Sequence, residues 1–173
     1  MYITKKGPMV SLIWTQASNG VIGRGKDIPW YITEDSMRFR DLTYKKTVIM
    51  GRNTWDAVDV NFIYNRRNIV ISKDPKYKPG YPAIKANNVI DAIDKRGPVN
   101  DVFIIGGAEV LKSSMCLADI LYVTYLDMHV IGDKYAPEIS PDWEITDHEE
   151  IMARDTISRK DVRCIFNRLI RKW

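Results

Sequence analysis

Short apolar runs alternate with stretches of helical period along most of this chain. Val10-Ser-Leu-Ile-Trp14, Thr47-Val-Ile-Met50, Asn68-Ile-Val-Ile71 and Val102-Phe-Ile-Ile105 are short runs that are mostly apolar. Runs of this kind predict strands covered on both faces. Ala83 to Ala86 predicts a further short strand and Ile120 to Leu126 a longer one. Between them, helices are expected over Asp35 to Thr43, around Trp55 to Val58, over Val89 to Lys95 and over Ala108 to Met115. Asn88 is the expected cap of the third, with Val89, Ile90 and Ile93 inward and Gly97-Pro98 as its stop. Two last strands, Trp143 to Glu149 and Val162 to Ile170, follow with no helix between them. The pattern therefore predicts an α/β fold: a mostly parallel, eight-stranded mixed sheet with an antiparallel C-terminal edge and about four flanking helices. Residues 1–173 are expected to form a single domain, with residues 1–9 as an N-terminal extension.

One stretch breaks the pattern. Gly23 to Asp35 runs from a glycine-rich loop through Ile28-Pro-Trp30 into the first turn of a helix. Thr33 is the expected N-cap, and Glu34 and Asp35 suit the positive end of the helix dipole. Helical spacing puts Asp35, Phe39 and Leu42 on one face and Arg38, Asp41 and Lys45 on the other. A carboxylate thus stands in line with an apolar stripe. Burying it unpaired costs several kcal/mol or raises its pKa. Either the group does chemistry or it stays wet at the edge of the core.

Composition narrows the function classes. The 173 residues are 45% hydrophobic, enough for a real core, and the net charge of +4 is modest. Acids and bases are interspersed, so the dense basic face of a nucleic-acid binder is missing. No run of about 18 apolar residues predicts a membrane span, and Met1 to Pro8 carries no hydrophobic signal core. Cys116 and Cys164 lack metal-type spacing and are expected to be buried free thiols, which suits a cytoplasmic location. His129 and His148 are expected at the surface, and no metal site is expected.

Three local motifs carry possible chemistry. Gly20 to Asp27 approaches a phosphate-binding loop but ends in Asp27, where a hydroxyl residue is required, so that function is rejected. Gly51-Arg-Asn-Thr54 and Ile105-Gly-Gly-Ala-Glu109 each join an apolar strand to a helix. Together they favour a phosphate-bearing cofactor at strand C-termini, where open α/β sheets bind nucleotides. Neither is a dinucleotide fingerprint. Arg66 or Arg67 could clamp a carboxylate or simply flank a strand.

These residues, in this order, resemble dihydrofolate reductase. The resemblance covers nearly the whole chain from about Val10. It rests on Val21-Ile-Gly23, Ile28-Pro-Trp30, Asp35 with Phe39, Val48-Ile-Met-Gly-Arg52 with Thr54-Trp55, and Arg66 through Ser72. It continues with Ile105 to Ala108, Leu121 to Thr124, and Gly132-Asp133 before Pro137. The resemblance implies NADPH as cofactor and reduction of 7,8-dihydrofolate to tetrahydrofolate. Dihydrofolate and antifolates are then the partners, with no nucleic acid and no membrane, and the chain a monomer. It implies Asp35 as the catalytic acid, supported by Thr124, with Trp30 nearby. Ile13, Trp14, Ile28, Phe39, Ile63 and Ile105 are implied for the substrate pocket, and Arg66 for the glutamate carboxylate. Thr15, Ile22, Gly51, Arg52, Asn53 and Thr54 are implied cofactor contacts. So are Ser72, Lys73, Ile105, Gly106, Gly107, Ala108, Glu109 and Val110, with the Gly106-Gly107 peptide in the cis form. Glu109 stands where many relatives carry a basic or neutral residue, which implies a weaker hold on the extra phosphate of NADPH. A reductase of riboflavin synthesis shares the fold class but lacks the Trp30, Asp35 and Arg66 set.

Overall fold

The apolar runs assemble into one eight-stranded sheet. A computed structural model describes residues 7–58, 64–98 and 101–172. Its strands are β1 (Met9–Ala17), β3 (Thr47–Gly51), β4 (Arg67–Ile71), β5 (Ile84–Ala86), β6 (Asp101–Gly106), β7 (Ile120–Leu126), β9 (Trp143–Asp155) and β10 (Lys160–Arg171). They lie in the order β5-β4-β3-β6-β1-β7-β10-β9. From β5 to β7 every neighbouring pair is parallel, and β10 runs antiparallel to both β7 and β9. The expected fold class holds. Four helices are described: α1 (Thr33–Thr43), α2 (Arg52–Ala57), α3 (Val89–Asp94) and α4 (Ala108–Ser114).

Alternation along each strand makes two apolar layers. Leu12, Trp14, Ile49, Ile69, Ile104 and Leu121 pack on one face with Ala92 of α3 and Leu111 of α4. Val48, Met50, Val70 and Phe103 pack on the other, with Ile13, Leu42 of α1 and Trp55 of α2. The central strand then does something the pattern did not announce. The ladder between β1 and β6 ends at Leu12 and Ile104, while that between β1 and β7 continues to Ala17 and Leu126. The sheet parts beyond Leu12, and a crevice at strand C-termini is where open α/β sheets place their sites.

Several expectations need correction. Thr33 is the first helical residue of α1, not its cap; Ile32 occupies the cap position with no side-chain bond. Arg38 is not on a free polar face, because its guanidinium stacks 4.6 Å from the Phe166 ring centroid. Ile90 is 55% exposed, since Val89, Ala92 and Ile93 are the α3 residues that reach the core. Cys164 is buried but Cys116 is exposed, because the turn after α4 faces it outward. Asn88 does cap α3, accepting from the Asp91 nitrogen at 2.8 Å. His129 and His148 are both exposed. Among the described residues no helix is long and apolar enough to cross a membrane, and no acidic, His and Cys cluster suits a metal.

A second, two-stranded sheet was not foreseen. β2 (Val21–Gly23) pairs antiparallel with β8 (Lys134–Tyr135). The Gly25 nitrogen donates to Asp133 Oδ1 at 2.8 Å, which ties down the glycine-rich loop. Gly132 makes the close approach possible: a Cβ there would lie 2.4 Å from Val21 Cγ1 and 2.5 Å from the Gly23 carbonyl oxygen. Gly132→Ala is expected to destabilise the fold by about 1–3 kcal/mol through this overpacking. Urea unfolding checks it, and an unchanged midpoint would contradict the contact.

Candidate active site

Asp35 is turned onto the sheet rather than left in water. It sits in the first turn of α1, and both of its oxygens accept protein hydroxyls. Thr15 Oγ1 donates to Oδ2 at 2.6 Å and Thr124 Oγ1 donates to Oδ1 at 2.8 Å. The two threonines are register partners on neighbouring parallel strands, so both hydroxyls leave the same face toward α1. Burial raises the Asp35 pKa above its ordinary value, against the opposing pull of the Thr15 and Thr124 bonds and of the Arg38 charge. The Thr124 expectation is met in geometry. Thr15, implied as a cofactor contact, has a further partner that was not foreseen: its hydroxyl donates to the acid. The period-two alternation from Ile13 was the signal that could have shown this.

The start of α1 is anchored from far along the chain. Asp155, at the end of β9, accepts from the Tyr31 nitrogen at 2.9 Å and bridges to Ile32. Asp155 is 1% exposed and also accepts from the Ile157 and Ser158 nitrogens. Nothing local marked it as the anchor of α1, because Tyr31 lies 124 positions away.

The expected substrate wall is only partly assembled. Ile13, Ile105 and Tyr122 pack on the α1 face beside Phe103, and Phe39 is half-buried. Ile28 does not join them; it is 60% exposed on its loop. Trp14 is a correction of another kind, since strand alternation turns its side chain into the opposite apolar layer. Trp30 is buried with Ala17, Leu126 and Phe166, and the structure records no bond between it and Asp35. Ile63 lies outside the described residues.

Arg66 is held in one orientation by three acceptors. Its Nε donates to Thr43 Oγ1, Nη1 to the Tyr64 carbonyl and Nη2 to the Arg40 carbonyl, each at 2.8 Å. None of the three is a carboxylate. Burial first and Arg40 second lower its pKa, yet a guanidinium stays charged. It lines a cavity of about 570 Å³ with Arg40, Asp41, Tyr44, Tyr64 and Asn65. A fixed, charge-bearing fork over an open cavity suits a carboxylate ligand.

The two glycine corners meet. A Cβ on Gly51 would press to 3.2 Å from Val110 Cγ2 and 3.6 Å from the Gly107 nitrogen. Cβ atoms on Gly106 and Gly107 would stand 3.6 and 3.5 Å from Thr54 Oγ1. The Gly106-Gly107 peptide is cis, as the resemblance implied. A narrow cleft of about 240 Å³ lies between Lys26 and Asp27 of the loop and Asn53, Asp56 and Ala57 of α2. Ile22 is half-buried against the core, and Ala108 opens α4. Glu109 points to solvent, 3.9 Å from Lys112. Arg52 stacks 4.4 Å from the Tyr77 ring centroid and pairs with Asp74 at 3.6 Å and Asp56 at 3.9 Å. Ser72 is nearly buried, its hydroxyl accepting from the Asp74 nitrogen at 3.2 Å, and Lys73 is exposed. Side-chain-free walls at two corners, with Arg52, Lys73 and hydroxyls beside them, fit a phosphate-bearing cofactor. Asp74 was not anticipated there, and an incoming phosphate must compete with it for Arg52.

Comparison with known proteins decides the family. A family model described as dihydrofolate reductase matches residues 9–171. This chain belongs to the dihydrofolate reductase family. It is 37% identical over 137 residues to the dihydrofolate reductase of Buchnera aphidicola subsp. Acyrthosiphon pisum, spanning 78% of this chain and 84% of the relative. It is 35% identical over 140 residues to that of Mycobacterium tuberculosis strain H37Rv, with the same two shares. Among solved structures it is similar to a dihydrofolate reductase from Enterococcus faecalis complexed with NADP(H) and RAB-propyl. That match has a TM-score of 0.83 and 25% identity over 94% of this chain and 96% of the other.

Proposed function

We propose that this dihydrofolate reductase family member catalyses the NADPH-dependent reduction of 7,8-dihydrofolate to 5,6,7,8-tetrahydrofolate. The observation that carries it is Asp35, a carboxylate seated on two threonine hydroxyls beside the parting of β1 and β6. Each oxygen keeps further acceptor capacity, so the group can take a pair of N–H donors such as a pterin's amino and amide edge. Arg66 takes the glutamate carboxylate of the substrate tail. Ile13, Phe39 and Ile105 supply the apolar wall, and Ile28 adds to it from its loop. Gly51, Thr54, Gly106 and Gly107, with Arg52 and Lys73, would hold NADPH, which supplies the hydride when bound.

Asp35 acts on protonation rather than on the hydride. A hydride acceptor must be electron-poor, so the substrate ring nitrogen must gain a proton. An anionic carboxylate on the ring raises its proton affinity, with water as the direct donor. Trp30 keeps the loop ahead of α1 packed and dry.

Residues 1–173 act in this proposal as a monomer, and as one domain because a single sheet recruits strands from Met9 to Arg171. The two free thiols suit the cytoplasm. A spectrophotometric assay with dihydrofolate and NADPH tests the reaction. Substrate-dependent oxidation of NADPH, blocked by an antifolate, is expected; its absence would overturn the assignment. NADH in parallel tests the hold on the extra phosphate, and Glu109 with Asp74 predicts a smaller preference for NADPH than a purely basic site would give.

A further inference from the structure

The Thr15 hydroxyl commits its one proton to Asp35 at 2.6 Å. The geometry is paired. Thr15 and Thr124 face each other across the β1–β7 ladder, and each serves a different oxygen of one carboxylate. We propose that Thr15 is a positioning residue: with Thr124 it forms a two-hydroxyl cradle that fixes the plane of the Asp35 carboxylate and holds it in its ionised form.

The chemistry follows from donor counting. An ionised carboxylate only accepts, so both hydroxyls must donate. When Asp35 takes up a proton, one of its oxygens becomes a donor, and the threonine facing that oxygen must turn to accept. The cradle is complete only around the anion, and it opposes the burial that favours the neutral acid. One hydroxyl would leave the carboxyl free to rotate about its last bond. Two hydroxyls from adjacent strands fix both oxygens and direct the remaining lone pairs away from the sheet. The other groups facing Asp35 do not replace this. Arg38 and Glu34 lie on its own helix, and Arg38 is stacked on Phe166. Cys164 of β10 has its thiol pushed up to about 11 by burial and by the Asp35 and Glu34 charges, so it stays neutral around pH 7.

The consequence for turnover rests on the reaction proposed above, whereas the cradle itself does not. Thr15→Val keeps the β-branched shape and removes only the hydroxyl. Thr15→Ser keeps the donor. The side-chain carboxyl of Asp35 is followed by carbon-13 NMR in the ligand-free protein, with its resonance assigned by loss in Asp35→Asn. The midpoint in Thr15→Val is expected to rise by about one unit, and Thr15→Ser to stay near the parent value. The acid limb of kcat/KM for dihydrofolate should move with it. An unmoved midpoint in Thr15→Val, with only the KM for NADPH raised or only the Tm lowered, overturns the cradle. If the midpoints move as stated but the parent protein fails to reduce dihydrofolate, the cradle stands and the reaction assignment fails.

Discussion

Asp35→Asn will lose most turnover at pH 7 and recover part of it in acid, with NADPH binding unchanged. The loss is expected at about 10²- to 10⁴-fold, the range a positioned acid–base group contributes. Asn keeps the shape and one carbonyl acceptor, and the Thr15 hydroxyl can turn to accept from its amide. The anionic charge beside the ring is gone, so the ring nitrogen is protonated only when the solution supplies the proton. Stability moves the other way. Burial raises the folded pKa of Asp35 above the ordinary 3.8. Between those two values the folded chain holds a proton that the unfolded chain has released. Stability therefore falls as pH rises through the folded pKa, and the ionised acid is a net cost at neutral pH. Asn lacks that cost, so the Tm at pH 7 should rise, on the order of 2 °C for a chain of this size. The gain should vanish below the ordinary carboxylate pKa. Steady-state turnover across pH and thermal unfolding at pH 7 and in acid check both halves. Unchanged turnover at pH 7 would remove Asp35 from its role.

Arg66→Leu is expected to raise the KM for dihydrofolate about 10- to 100-fold and leave kcat nearly intact. A hydrogen bond to a charged partner contributes about 1.5–3 kcal/mol, and about 1.4 kcal/mol is a factor of ten. The tail is remote from the reacting carbon, so its clamp stabilises ground state and transition state alike. A pterin without the glutamate tail should be reduced equally well by both proteins. Folding is expected to survive, because the partners of Arg66 are not stranded. Thr43 still donates to the Phe39 carbonyl at 2.7 Å. The Tyr64 and Arg40 carbonyls bond to Arg66 at exposed positions and can turn to water. Equal losses on both substrates would mean that Arg66 holds the structure together rather than the ligand.

How far the sequence could be read differs by element. β3 was legible because Thr47 to Met50 are all buried, and a strand covered on both faces needs an unbroken apolar run. α3 was legible because Asn88 caps it by a bond spanning three residues. β9 was read to Glu149 and runs on to Asp155: Glu144 to Glu150 are exposed at an edge, and burial resumes only from Ile151. β2 and β8 were missed because three and two residues carry no periodicity, and their pairing depends on Gly132 letting two distant loops touch.

The site divides along the same line. Sequence alone determined the parts list: an acid in the stripe of α1, an arginine ahead of β4, and glycines where β3 and β6 turn into helices. These are short-range facts, because period, capping and backbone freedom act within a few residues. Only the tertiary structure decided what each part touches. Alternation from Ile13 already set Trp14 and Thr15 on opposite faces of β1, but not which face meets the acid. Register set Thr15 opposite Thr124, and the early end of the β1–β6 ladder left Asp35 a crevice to face. Partners 89 and 124 residues apart meet there. Such meetings depend on how whole strands align, and no local pattern of side chains encodes that.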